Sequence, residues 1–101
     1  TYIDDICEMI EKIIRKCYPM KGVDILNLGN GKPRTINELV NQIEQSLDKK
    51  ASINFEPFQA GDVEATYSDT SKLRNLINFS AQNDLEQGIP IFIDWLKNYE
   101  K

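Results

Sequence analysis

Ile6, Met9, Ile10, Ile13, Ile14 and Cys17 recur at the i, i+3, i+4, i+7 spacing that lines up apolar side chains along one face of an α-helix. Two later stretches repeat the pattern, with Ile36, Leu39, Val40, Ile43 and Leu47, and then Ile89, Phe92, Ile93 and Leu96. Helices with one apolar face must bury it, so packing of these faces is the main constraint on the fold. The start and stop signals agree with this reading. Asp5 followed by Glu8 resembles a capping box, and Thr35 followed by Glu38 has its true spacing. Pro19 and Gly22 end the first helix. Asp69 or Thr70 suits the cap of a short helix bearing Leu73, Leu76 and Ile77. Pro90 cannot sit deep inside a helix, so the last helix is expected to begin there, after a turn at 84–88.

Short apolar runs alternate with these helices. Val23-Asp24-Ile25-Leu26-Asn27-Leu28 reads as a largely buried strand closed by Gly29-Asn30-Gly31. Ile53-Asn54-Phe55-Glu56-Pro57-Phe58 alternates as a half-buried strand does, with Pro57 placing it near an edge. Thr66-Tyr67-Ser68 suggests a further extended stretch. The expected fold is a mixed α/β (α+β) domain, with about four helices and two or three short strands. The chain has 101 residues, which fits one small domain spanning 1–101.

A net charge of −4 argues against a nucleic-acid surface and against docking on anionic membrane. No apolar run approaches the roughly 20 residues that span a bilayer, and the opening residues lack the basic region of a signal peptide. Cys7 and Cys17 lie ten residues apart on the first helix, too far along the axis to bond to each other. They are expected to be buried thiols in a reducing compartment, which points to the cytoplasm.

The chain has no histidine, so Ser-His and Cys-His nucleophile systems are excluded, and two distant cysteines do not make a zinc site. Asp4-Asp5 reads as helix N-terminal residues that favour the dipole, not as a metal pair. Gly29-Asn30-Gly31 has the setting of a dinucleotide-binding turn, but the third glycine is replaced by Arg34 and Pro33 stiffens the loop. It reads as a tight turn. No tyrosine is followed four residues later by a lysine, so the acid/base pair of short-chain dehydrogenases is missing and no catalytic residue is assigned. Gln59-Ala60-Gly61-Asp62 offers backbone N–H groups to an anion and a carboxylate to sugar hydroxyls; read on its own, it is better explained as an ordinary turn.

Read in order, Thr1-Tyr2-Ile3-Asp4-Asp5-Ile6, Asn27-Leu28-Gly29-Asn30-Gly31, Phe55-Glu56-Pro57-Phe58-Gln59-Ala60-Gly61-Asp62-Val63, Thr66-Tyr67-Ser68-Asp69-Thr70-Ser71-Lys72-Leu73 and Leu85-Glu86-Gln87-Gly88-Ile89 ahead of Trp95 resemble the C-terminal part of extended short-chain dehydrogenase/reductases. Within these, the sequence is most similar to the UDP-glucuronate 4-epimerase group. The resemblance implies a small substrate-binding domain facing a Rossmann part that lies outside this chain and holds NAD and the catalytic tyrosine. It implies a UDP-sugar partner and no cofactor held by this chain itself. Carried over by position, it places Gln59 at the diphosphate, Asp62 at the ribose, Ile36 near the nucleotide at the start of its helix, and Thr66 in place of an aromatic. Self-association through Ile3, Ile6 and Ile10 is expected of the domain without its other half. A UDP-galactose-type epimerase, a sugar-nucleotide dehydratase and a stand-alone helical interaction module are the alternatives.

Overall fold

The computed structural model describes residues 1–19 and 21–99. Among these residues four α-helices are formed: α1 (Ile3–Cys17), α2 (Ile36–Leu47), α3 (Ser71–Ile77) and α4 (Leu85–Tyr99). The chain divides into two compact units. Unit 1 comprises Thr1–Lys32 and Tyr67–Asp84 and pairs α1 with α3; unit 2 comprises Pro33–Thr66 and Leu85–Lys101 and pairs α2 with α4.

The fold is all-helical, not mixed α/β: no strand forms among the described residues. The segments at 23–28, 53–58 and 66–68 are irregular; Leu26 and Leu28 are half-buried, but the other apolar side chains face solvent, with Val23 97% and Phe55 84% exposed. A strand exists only where a neighbour takes up its N–H and C=O groups, and neither unit supplies one. Local alternation described what these segments would do beside a sheet, not what they do here.

Capping decides where the helices begin. In unit 2, Thr35 and Glu38 form the full capping box: Thr35 N donates to Glu38 Oε2 at 2.6 Å, and Glu38 N donates to Thr35 Oγ1 at 3.1 Å. Arg34 joins the starts of two helices, reaching Glu38 at 3.5 Å and Glu86 at 3.2 Å. In unit 1, the cap of α3 is the side chain of Asp69, whose Oδ1 accepts from Ser71 N at 2.9 Å; Thr70 makes no side-chain cap bond.

Two helix starts differ from expectation. Helix α1 begins at Ile3, with Tyr2 as its uncapped N-cap, so Asp5 lies inside the first turn and caps nothing on its own helix. Helix α4 begins at Leu85 and carries Pro90 within it. The ring removes the bond that residue 90 would donate to the Glu86 carbonyl, a cost of about 3 kcal/mol in a helix interior that packing on α2 offsets here.

Each unit has a small core. Met9 and Leu73 are fully buried in unit 1, and Ile93 is buried in unit 2. The stripe read along α1 is thus divided: Met9 faces inward, Ile6, Ile13 and Cys17 are half-buried, and Ile10 and Ile14 are exposed. On α2 the residues Leu39, Val40, Ile43 and Leu47 are half-buried. Met9→Ala or Leu73→Ala should therefore cost about 2–5 kcal/mol, whereas Ile10→Ala should stay within about 0.5 kcal/mol. Urea denaturation of the three variants checks this, and equal losses would contradict the division of the stripe.

Several carboxyl groups are held below the ordinary carboxylate range. Glu38 is lowered by the Thr35 backbone N–H and then by its hydroxyl, and Asp69 by the Ser71 N–H and hydroxyl. Lys72 and then the Ile25 N–H lower Asp24, and Lys50 and then the Ala51 N–H lower Glu44. A group with a lowered pKa in the folded state contributes stability above its unfolded value and loses it as pH falls through the folded value. Melting temperature should hold between pH 7 and 5 and fall below about pH 4. A melting temperature that rises on acidification would contradict these assignments.

Candidate functional site

All four residues assigned by resemblance lie on unit 2 and are exposed. Ile36 is the first residue of α2, 74% exposed although it opens the apolar stripe of that helix. The Thr35 cap ends the preceding loop just before it and so fixes its place at the helix N-terminus. Gln59 and Asp62 are brought together by a turn in which Asp62 N donates to the Gln59 carbonyl at 3.2 Å. Gly61 sits in this turn at φ +100, a conformation glycine adopts without strain, and a Cβ there would meet open space. The turn leaves both side chains pointing away from any buried surroundings, available to a ligand. Thr66 ends the first segment of unit 2 and is exposed; no described hydrogen bond ties it or the Ile36 side chain to the turn.

The side chains on this turn and at the start of α2 differ in the contacts they could offer. An exposed carboxylate accepts hydrogen bonds from hydroxyls, a neutral amide donates one to an anionic oxygen, and an exposed isoleucine offers an apolar surface to a flat ring. No proton-transfer pair is present at the turn. No cluster of three or more His, Cys, Asp or Glu side chains suited to a metal ion occurs among the described residues.

The glycine turn of unit 1 has a different role. A Cβ on Gly29 would lie 3.0 Å from Ser68 Cβ, and one on Gly31, at φ +73, would lie 3.0 Å from Thr70 Oγ1. These glycines let the 29–31 loop close onto 68–70. The face that a dinucleotide pyrophosphate would need is filled by side chains of the same unit, so this turn does not fit that group.

Cys7 and Cys17 are free. Cys7 is exposed, not buried: it lies on the outward face of α1 with Ile3, Ile10 and Ile14, and Cys17 is half-buried. A concavity in unit 1 is lined by Arg74, Asn78, Phe79, Ser80 and Gln82, with Lys12 Nζ 5.1 Å from the centre of the Phe79 ring. None of the four assigned residues lines it.

The residue that sequence reasoning misread is Asp5. It is 2% exposed, and its carboxyl oxygens accept from Gln82 N at 3.1 Å, Asn83 N at 2.9 Å and Asn83 Nδ2 at 3.0 Å. The available signal was its register: Asp5 stands four residues before Met9, on the inward arc of the helix, whereas Asp4 beside it is exposed.

No protein-family profile matches the chain. Similarity to curated proteins is extensive. UDP-glucuronate 4-epimerase of Thermodesulfobacterium geofontis is 36% identical over 96% of this chain and 29% of its own length. Protein CapI of Staphylococcus aureus is 34% identical over 100% of this chain and 35% of its own length. UDP-arabinose 4-epimerase 1 of Arabidopsis thaliana is 32% identical over 95% of this chain and 23% of its own length. The chain thus spans about a third or less of the relatives it matches. These likenesses support kinship with nucleotide-sugar epimerases. No described helix is long and apolar enough to cross a membrane.

Proposed function

We propose that this chain is the C-terminal, substrate-binding portion of an NAD-dependent nucleotide-sugar 4-epimerase, acting on UDP-glucuronate to give UDP-galacturonate. The observation that carries the reading is similarity over essentially the whole chain to proteins named UDP-glucuronate 4-epimerase, from Thermodesulfobacterium geofontis and, as a probable one, Rhizobium meliloti. The absence of histidine and of a tyrosine–lysine pair at four-residue spacing fits a part that binds and orients but does not itself move protons. In this reading NAD belongs to the rest of the protein, where it supplies the acceptor and donor of the C4 hydride. The residues of this chain hold the UDP end. Asp62 accepts from the ribose hydroxyls, the Gln59 amide donates to a diphosphate oxygen, and Ile36 and Thr66 border the nucleotide.

The magnitudes follow from the bond types. A charge-assisted bond from Asp62 is worth about 1.5–3 kcal/mol, which corresponds to UDP binding roughly ten- to hundredfold weaker in Asp62→Ala. Gln59→Ala should cost less, because a neutral amide makes the weaker bond. Because the ribose is remote from C4, the loss should fall on kcat/KM more than on kcat. Calorimetric titration of UDP into the full-length protein and its variants, with melting curves to establish folding, tests this. Wild-type affinity in folded Asp62→Ala would remove the turn from the site.

A helical interaction module has one observation in its favour: Ile3, Ile10 and Ile14 are 63%, 45% and 57% exposed on a single face of α1, with Ile6 half-buried beside them. In the epimerase reading this face is covered by the rest of the protein. The isolated chain should accordingly self-associate through it. Sedimentation of wild type and Ile10→Lys checks this: a concentration-dependent mass abolished by the substitution is expected, and a wild-type monomer at millimolar concentration would contradict it.

A further inference from the structure

Helix α3 ends on a left-handed residue. Asn78 takes φ 50 and ψ 44, and its N–H donates to the Arg74 carbonyl at 2.8 Å. Beyond this cap, Phe79, Ser80 and Gln82 join Arg74 and Asn78 in lining a hollow of about 230 Å³. All five residues belong to unit 1. The hollow is somewhat smaller than the roughly 300–1,000 Å³ pockets that take drug-sized ligands, which limits its occupant to a small molecule.

The lining is selective in charge. The sequence has 16 acidic and 12 basic residues, yet among the described residues no acidic side chain lines the hollow. Arg74, Asn78, Ser80 and Gln82 all carry side-chain donors. Gln82 Nε2 already donates to the Ser80 carbonyl at 2.7 Å. The Arg74 guanidinium has no such commitment. Arg15 and Arg34 pair with carboxylates, whereas Arg74 is the one arginine without an ion pair among the described residues. Asp69 attracts it without forming a pair, because Asp69 Oδ1 accepts from Ser71 N at 2.9 Å. Lys12, over the Phe79 ring at 5.1 Å, is already paired with Glu8 at 3.3 Å. The hollow thus presents one uncompensated positive charge, hydroxyl and amide donors, and an apolar wall at Phe79.

We propose that this hollow binds a small free monocarboxylate. The guanidinium fork of Arg74 matches the two oxygens of a carboxylate in one plane. The Ser80 hydroxyl and the Asn78 amide donate to the same oxygens, and the Phe79 ring covers the organic remainder. A phosphate group brings a charge of about −1.5 to −2 to a single guanidinium, and a nucleoside diphosphate brings more charge and more bulk than the hollow admits. The proposal therefore does not depend on the UDP-sugar reading.

The test is titration of benzoate into the isotopically labelled full-length protein. Backbone amides of Asn78, Phe79, Ser80 and Gln82 are followed, with Glu38 in the α2 cap as reference. Benzamide, a neutral molecule of the same shape, and inorganic phosphate are titrated in parallel. Benzoate should give saturable shifts at the four amides and none at Glu38, with benzamide and phosphate at least about tenfold weaker. Arg74→Gln, at an exposed position, should weaken benzoate about ten- to hundredfold, the loss that goes with one charge-assisted pair. Arg74→Lys keeps the charge without the fork and should weaken it about threefold or more. Should an Arg74 variant not fold, Ser80→Ala, with an expected loss of about threefold, is read in the same way. Benzamide bound as tightly as benzoate would reduce the hollow to an apolar cleft, and phosphate bound more tightly would overturn the carboxylate assignment. Absence of saturation, or unchanged benzoate affinity in folded Arg74→Gln, would overturn the site itself.

Discussion

A carboxylate in a protein interior is tolerated only where donors surround it, because removing it from water costs several kcal/mol. Asp5 meets that condition through two backbone N–H groups and one amide, all from residues 82 and 83. The consequence is mutual: the 82–84 loop has its place because Asp5 is buried, and Asp5 can be buried because the loop is there. Asn30 and Lys32 are fastened to the same loop, and the 29–31 turn closes tightly onto 68–70, where a Cβ on Gly29 or Gly31 would crowd Ser68 or Thr70. Among the described residues, unit 1 is thus held by these polar contacts and by a small core around Met9 and Leu73. So small a core leaves much of the specification to hydrogen bonds.

Unit 2 is organised by other means. The Thr35–Glu38 capping box and the bridges from Arg34 to Glu38 and Glu86 fix the starts of α2 and α4, and Lys97 Nζ reaches the Ser46 carbonyl at 3.3 Å across the same pair. From this base the chain between α2 and the end of the first segment runs outward without regular structure, carrying the turn at 59–62. An exposed turn beside a capped helical pair is where binding groups are commonly found, which is the setting the proposed UDP site requires.

How far the sequence anticipated this depends on the range of the interaction concerned. The α2 start was legible because a capping box is local, closing within four residues. The α3 helix was legible for the same reason, down to Asp69 as one of two candidate caps. The strands were misjudged because a ladder requires a partner far along the chain, and alternation cannot reveal whether one exists. The start of α4 was misjudged because Pro90 signals a local cost, while packing on α2 is what offsets it. Asp5 was misjudged because its register with Met9 signals burial alone, while the donors that satisfy it stand nearly eighty residues away, where spacing rules do not find them. Gln59, Asp62, Ile36 and Thr66 came from resemblance, since nothing in their local pattern separates a binding turn from an ordinary one.

The central claim is that the UDP end of a nucleotide sugar is held by exposed residues of unit 2. It is tested most directly by titrating UDP into isotopically labelled protein and following backbone amide resonances. The account predicts saturable shifts at Gln59, Gly61 and Asp62, with smaller ones at Ile36 and Thr66, and none around Arg74 and Ser80. Saturable shifts confined to the concavity at Arg74 and Ser80, or none at the 59–62 turn at saturating UDP, would contradict it.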